Sequence, residues 1–256
     1  MQEGEPATYN PHLQMQTARI AELLAPYLDQ ANDRGLTDND LQNISTYIDI
    51  LQRWNARMNL TAVRSEEEIV TRHFGESLFA ARHLFPVRAG AGASQPSSWL
   101  ADDQRLTTND DIAIADVGSG AGFPGIPIKL WAPAISLTLI ESNHKKAAFL
   151  KELTRTLTLT DVDIQTVRAE SLPASSFEVV TLRAVERFET ILPVAARLVA
   201  PKGRLALLVG SPQIPTAQSA LPDLAWSAPK PMPGSQSRVL AIATTPRNLE
   251  LNEPNQ

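Results

Sequence analysis

Ten residues constrain this chain more than any other stretch: Asp116-Val117-Gly118-Ser119-Gly120-Ala121-Gly122-Phe123-Pro124-Gly125. They follow the apolar run Ile112-Ala113-Ile114-Ala115, which reads as a short buried strand. They precede Ile126 to Leu130, an apolar segment able to start a helix. Four glycines in this stretch leave the backbone open to close approach, because no Cβ stands in the way. A strand, a glycine turn and a helix N-terminus in that order form the usual cradle for a nucleotide-like ligand.

The bulk properties narrow the setting. The chain has 256 residues and a formal net charge of −5, which excludes a globally basic nucleic-acid binder but leaves room for a local basic face. Cysteine is absent, so disulfides and thiolate metal sites are excluded and a reducing cytoplasm is the default location. There is no run of about 18 apolar residues, so no membrane span is expected. The start, Met1-Gln2-Glu3-Gly4-Glu5-Pro6, lacks the basic and apolar regions of a signal peptide.

Upstream of the glycine turn the periodicity is helical. Residues 1 to about 11 read as disordered. Leu13, Ile20, Leu23, Leu24 and Leu28 suggest a first helix over 12–32. Leu41, Ile44, Ile48 and Leu51 mark a second, ending near Asn55, with Thr37 three residues before Asp40 as its cap. Residues 54–64 form a polar and basic connector. Ser65 and Glu68 make a capping box for a third helix, Glu66 to about Leu84, carrying Arg72-His73-Phe74. No second histidine lies three or four positions from His73, so a zinc site is not supported. The spacing therefore divides the chain into a helical region over 12–85, a flexible loop over 86–111 rich in Pro, Gly, Ser and Asp, a strand–helix domain over 112–245, and a frayed tail over 246–256.

Within 112–245, strands are expected at Ser136–Glu141, Asp163–Val167, Phe177–Leu182, Arg204–Val209, Leu224–Ala228 and Val239–Thr244. Helices are expected from Asn143 to Leu157 and from Phe188 to Leu198, and Pro201-Lys202-Gly203 reads as a turn. This alternation predicts an α/β fold: a mostly parallel seven-stranded sheet, covered on both faces, with its last two strands antiparallel at an edge.

Gly120-x-Gly122-x-x-Gly125 matches a dinucleotide fingerprint, with Glu141 where the ribose-binding acid belongs. Three features favour S-adenosylmethionine instead. Asp116 sets a carboxylate beside the turn, which repels a pyrophosphate and suits an ammonium and a sulfonium. Pro124 removes an N–H from the helix start that should cradle a phosphate. Arg168-Ala169-Glu170-Ser171 follows the third strand, where an acid and backbone can frame an adenine. Gly118 and Gly120 would admit the methionine part, and Glu141 would accept both ribose hydroxyls.

At these residues the chain resembles the bacterial 16S rRNA guanine-N7 methyltransferases, also called the glucose-inhibited division protein B family. The resemblance rests on the run from Asp116 to Pro127, on Trp54-Asn55 with Asn59 to Arg64, and on Arg72-His73-Phe74 with Glu76-Ser77-Leu78. Glu141-Ser142 with Lys145-Lys146 and Phe149-Leu150, and Leu182-Arg183-Ala184, extend it. It implies a class I S-adenosylmethionine-dependent methyltransferase with a Rossmann-like fold and an N-terminal helical extension. It implies donor contacts at Gly118, Phe123, Ala169, Glu170 and Arg183. It also implies RNA contacts at Arg64, Arg72, His73, Lys145 and Lys146, with the small ribosomal subunit as partner and the enzyme a monomer. The chain departs from the family at the long 86–111 loop, at Val209-Gly210 where Lys-Gly is common, and in the proline-rich stretch 211–237.

Guanine N7 carries an exposed, unprotonated lone pair, so its attack on a sulfonium methyl needs no general base, and no catalytic residue is assigned. Two other readings compete on sequence grounds: a methyltransferase acting on a small molecule or protein, and a non-catalytic RNA- or ribosome-binding relative.

Overall fold

The computed structural model describes residues 11–28, 34–86, 112–184 and 187–247, with side chains from Gln16 onward. Residues 87–111 of the expected loop, the start up to residue 10, for which disorder is expected, and the tail from 248 lie outside the described residues.

The sheet is centred on β1 (Ala113–Val117) and β4 (Phe177–Arg183), each an apolar run buried on both sides. β2 (Ser136–Ile140) and β3 (Val162–Gln165) extend it on one side. β5 (Val199–Gly210) and β8 (Arg238–Thr244) extend it on the other, with the two-residue strands β6 (Ala225–Trp226) and β7 (Lys230–Pro231) both paired to β8. The order is β3-β2-β1-β4-β5-β8-β6, parallel through β5 and antiparallel at β8. This is the mostly parallel sheet that the alternation predicts and the arrangement that the resemblance implies, with eight strands rather than seven because Lys230–Pro231 forms a short additional pair.

Strand side chains alternate between two cores. Ile114, Leu139, Leu208 and Leu240 face one cluster, while Ala115, Ile140, Leu207, Val209 and Ala241 face the other. The first cluster is covered by α1 (Pro11–Leu24), α2 (Asp38–Met58), α4 (Glu76–Leu84), α5 (Gly125–Trp131) and α6 (His144–Thr156). The second is covered by α7 (Phe188–Leu198) and α8 (Ile214–Ala220).

Three differences from the sequence reading have local causes. The first helix ends at Leu24 in a 3₁₀ turn, Ala25–Tyr27, because Pro26 cannot donate to the helical ladder. The second runs on to Met58, where Asn59 caps it in the left-handed region, so Trp54 to Met58 belong to a helix and not to a connector. The third is interrupted. A short α turn, α3 (Glu66–Glu68), passes into a π-helical segment, Ile69–Gly75, before α4. Helix α8 lies in the proline-rich stretch 211–237, where the sequence reading assigns no helix; its Pro215 stands in the first turn, where proline is tolerated.

The N-terminal helices share the first cluster with the sheet, so Ile20, Tyr47 and Phe74 bury into the same core as Leu139 and Leu150. Each fully buried side chain of this size contributes roughly 1.5–3 kcal/mol. Tyr47 fixes α2 to the glycine turn by donating its hydroxyl to the Ala121 carbonyl oxygen. Gly122 makes this approach workable. Its φ is +86°, and a Cβ there would stand 2.5 Å from Tyr47 Oη and 2.7 Å from Ile126 Cδ1. Gly122→Ala is expected to cost more than about 1 kcal/mol from the backbone conformation alone, with an overpacking term of about 1–3 kcal/mol added. Urea denaturation checks this, and an unchanged midpoint would refute the tight docking of α2.

Candidate functional site

The C-terminal edge of the sheet gathers most of the expected donor residues. β1 ends at Val117, and the chain turns through Gly118 (φ +70°), Gly120 (φ +55°) and Gly122. The amides of Gly118 and Ser119 donate to the Ile140 carbonyl oxygen at 2.9 and 3.1 Å, tying the turn to the end of β2. The Phe123–Pro124 bond that follows is cis.

Asp116 sits beneath this turn, 1% exposed. Its Oδ1 accepts from Thr181 Oγ1 at 2.9 Å and its Oδ2 from the Gly125 amide at 3.2 Å. Both carboxylate oxygens therefore hold protein, and Asp116 braces the start of α5 against β4. Burial pushes its pKa up to about 6 against the pull of these hydrogen bonds. Glu141, at the tip of β2, is 7% exposed. Its Oε2 accepts from the Gly120 amide at 3.0 Å and its Oε1 from the Asn143 amide at 2.8 Å. Asn143 in turn caps α6 by accepting from the amides of Lys145 and Lys146.

Ala169 and Glu170 follow β3 in a 3₁₀ turn, Ala169–Ser171, Ala169 buried and Glu170 exposed. Arg197, on α7, holds this turn by donating Nη2 to the carbonyl oxygens of Glu170 at 3.1 Å and Leu172 at 2.9 Å. Nothing in the spacing of the sequence links Arg197 to that turn.

Phe123 and Arg183 belong to a second, interior layer. The Phe123 ring stacks on Tyr47 (centroids 5.0 Å apart, planes at 8°) and on His73 (4.8 Å, 26°), with the Arg183 guanidinium 6.0 Å above it. His73 is 8% exposed. Its Nδ1 lies 3.0 Å from Arg183 Nη2, and its Nε2 lies 2.7 Å from Thr61 Oγ1. A guanidinium can only donate, so Nδ1 accepts and the ring proton sits on Nε2, donated to Thr61. Arg183 Nη2 also donates to the Arg72 carbonyl oxygen at 2.8 Å and to Glu76 Oε2 at 3.3 Å. Arg238 Nη2 reaches the same Glu76 oxygen at 2.6 Å. Thr61, Glu76 and Arg238 escaped the sequence reading as site residues. Glu76 stood in a recognised motif, but only the fold supplies its partners.

The residues expected to contact RNA separate into two groups. Arg64 is exposed and bonded to Asn59 Oδ1 at 2.7 Å; Arg72 is half-exposed beside Glu68; Lys145 is exposed and Lys146 partly so. His73 departs from them. Its ring is buried with both nitrogens engaged, so the expectation of an RNA contact there is corrected to an internal one.

Burial and the charges of Arg183, Arg72 and Arg238 push the His73 pKa down to about 3 from an ordinary value of 6.5. The native state keeps the ring neutral while the unfolded chain takes up a proton, so stability is fully present above pH 6.5 and is lost as pH falls toward 3. Asp116 acts in the opposite sense. Its raised pKa gives stability that is full below about 4 and lost as pH rises through 6. The Asp116 contribution is common to wild type and a His73→Gln variant and drops out of their difference. The stability advantage of wild type over His73→Gln is therefore expected to shrink by about 2 kcal/mol between pH 7 and pH 5. Chemical denaturation at the two pH values checks this, and an unchanged difference would place His73 in water.

Comparison with known proteins gives this geometry a family. The family described as rRNA small subunit methyltransferase G matches residues 40–101 and 102–220. A protein of Halorhodospira halophila named ribosomal RNA small subunit methyltransferase G is 38% identical over 170 residues, 66% of this chain and 69% of that one. Its namesake in Roseiflexus castenholzii is 38% identical over 180 residues, covering 66% and 67%. That of Chloroflexus aggregans is 34% identical over 225 residues, covering 82% and 83%. With the glycine turn, the strand order and the matched length in agreement, this chain belongs to the rRNA small subunit methyltransferase G family.

Proposed function

We propose that the chain transfers the methyl group of S-adenosylmethionine to N7 of a guanine in 16S rRNA of the small ribosomal subunit. In this reading it acts as a cytoplasmic monomer. Residues 112–245 form the donor-binding domain, and 12–85 a helical region packed on one face of its sheet. Among the described residues no helix is long and apolar enough to cross a membrane. The relatives' shared name, ribosomal RNA small subunit methyltransferase G, supports RNA of the small subunit as acceptor.

The observation that carries the proposal is the pairing of Glu141 with the glycine turn. Its carboxylate accepts one amide on each oxygen and so keeps lone pairs for two further donors, as the hydroxyls of a ribose require. Above it the backbone is open, since a Cβ on Gly120 would meet nothing nearer than the Gly118 oxygen at 3.7 Å. These residues fit the donor. Gly118 and Gly120 would face its methionine part, Glu141 its ribose, and Ala169 and Glu170 its adenine, with Phe123 and Arg183 closing the inner side. Asp116 serves the site by bracing the turn.

The donor supplies an electrophilic methyl on a sulfonium. The protein's part is to align the acceptor and keep water out, because N7 already offers a lone pair and no proton has to be removed first. The interior agrees with this division of labour. His73, the titratable ring nearest Arg183, is held neutral with its proton committed to Thr61, so it orients Arg183 and carries no proton to the reaction. The exposed cations Arg64, Arg72, Lys145 and Lys146 would meet RNA phosphates, and affinity should fall steeply with salt.

Labelled methyl transfer to unmodified small subunits, followed by nucleoside mapping, tests the reaction, and label on any position other than guanine N7 would overturn it. Glu141→Ala and Arg183→Ala are each expected to weaken donor binding roughly 10–100-fold, as the loss of charge-assisted hydrogen bonds implies. Near-normal calorimetric titration of both variants would remove these residues from the donor site.

A further inference from the structure

The sheet order divides the C-terminal edge into two halves. Most residues assigned to the donor follow β1, β2 and β3; Arg183 closes β4, which with β5 and β8 lies across the switch point between β1 and β4. Over the ends of those three strands sits a cavity of about 100 Å³, lined by Arg183, Phe188, Val209, Gly210, Gln213 and Arg238 among others. Arg238 stands opposite Gly210 in the β5–β8 pairing, so no side chain on the facing strand fills the space beside it. β8 is three strands from β1, roughly 14 Å at about 4.8 Å per strand.

The cavity wall is short of negative charge. Arg183 and Arg238 place their Nη2 atoms on one oxygen of Glu76, at 3.3 and 2.6 Å. Among the described residues Glu76 is the one carboxylate in contact with either guanidinium. Asp116 acts on Arg183 through its field, but its carboxylate is buried against Thr181 and Gly125 and bonds to them. His73 is neutral and adds none. The Nε atoms of Arg183 and Arg238 are both buried without a hydrogen-bond partner, and the Arg183 side chain is 7% exposed. Two guanidiniums sharing one carboxylate, each with an unused buried donor, are completed by an oxyanion, which a guanidinium fork binds in two places.

We propose that this cavity is an oxyanion subsite on the acceptor side of the reaction, where Arg238 grips a phosphate of the RNA strand carrying the target base. The inference rests on the reading of RNA as acceptor. Val209 stands at the end of β5 where the family resemblance leads one to expect a lysine, and Arg238 brings a cation to the same cavity from the paired strand. The same chemistry could be met by the donor's own carboxylate, and the strand separation favours the phosphate.

Arg238→Gln, Arg238→Lys and Gly210→Asp test it. Gly210→Asp keeps both arginines and sets a competing carboxylate opposite Arg238. A Cβ there meets its neighbours at 3.6–3.8 Å, ordinary contact, so this variant reads out even where Arg238→Gln fails to fold. Binding to unmodified small-subunit RNA is measured across a salt series with S-adenosylhomocysteine present, which needs no catalysis. Calorimetry with S-adenosylhomocysteine and with 5′-methylthioadenosine, which lacks the carboxylate, is run in parallel.

Arg238→Gln and Gly210→Asp are expected to bind RNA roughly 10-fold more weakly, and Arg238→Gln to lower the slope of log affinity against log salt by about 0.7–0.9, one phosphate contact. Arg238→Lys should keep the slope, and affinity for S-adenosylhomocysteine should hold in all three. RNA affinity and slope unchanged in the variants that fold would overturn the proposal. So would a selective loss of S-adenosylhomocysteine over 5′-methylthioadenosine, which would give Arg238 to the donor's carboxylate. Failure of the wild type to methylate small subunits would strike the acceptor reading instead, and the two failures are separable.

Discussion

The site depends on one buried carboxylate. Asp116 holds the Gly125 amide with one oxygen and the Thr181 hydroxyl with the other, and so joins the end of β1 to α5 and β4. A buried carboxyl group is costly unless hydrogen-bonded, and the cost is what makes the arrangement specific: few other conformations of the turn would satisfy both oxygens. From this brace the glycine turn takes its shape, and from the turn Glu141 takes its position through the Gly120 amide. Beside a glycine turn, Asp116 suggests attraction to a cationic ligand. The structure buries its carboxylate at 1% exposure with each oxygen bonded to the protein, so the same acid is informative for a different reason.

Much of the architecture was legible because local patterns coincide with global needs. Alternation of apolar runs with helical periodicity identified a parallel sheet, and capping residues such as Thr37, Ser65 and Asn143 stood where helices begin. Proline misled in two directions. Pro26 stops a helix that periodicity would have continued, while the proline-rich stretch 211–237 holds a helix with Pro215 in its first turn. Register along β5 was also hidden, since Pro201 to Gly203 looks like a turn but lies within an irregular strand.

At the site, residues on one sheet edge were recoverable because each follows its own strand. What could not be read was contact across distant parts of the chain. The RNA contact expected of His73 rests on the resemblance of Arg72-His73-Phe74 to a family motif, which carries no information about burial. Only packing against Phe123 and the approach of Arg183, 110 positions away, reveal a neutral, internal ring. Arg197 and Arg238 act in the same way. Each is an unremarked arginine until the fold brings it to the carbonyls of the 169–172 turn or to Glu76. The second core layer, formed by Tyr47, Phe74, Phe123 and His73, makes the N-terminal helices part of the site's floor.

The π-helical segment Ile69–Gly75 gives that floor its phase. A π turn accommodates one residue more than an α turn, which releases a main-chain carbonyl from the regular ladder; the Arg72 oxygen accepts from Arg183 within this segment. His73 and Glu76, three positions apart and on either side of the return to α-helix, then face the same guanidinium. Removing a single residue here would let the segment revert to α geometry, returning the freed carbonyl to the helical ladder and taking from Arg183 the acceptor it meets at Arg72. In this part of the chain, length carries information that residue identity does not: a main-chain acceptor survives substitution, whereas a deletion would remove this link between the helical region and β4.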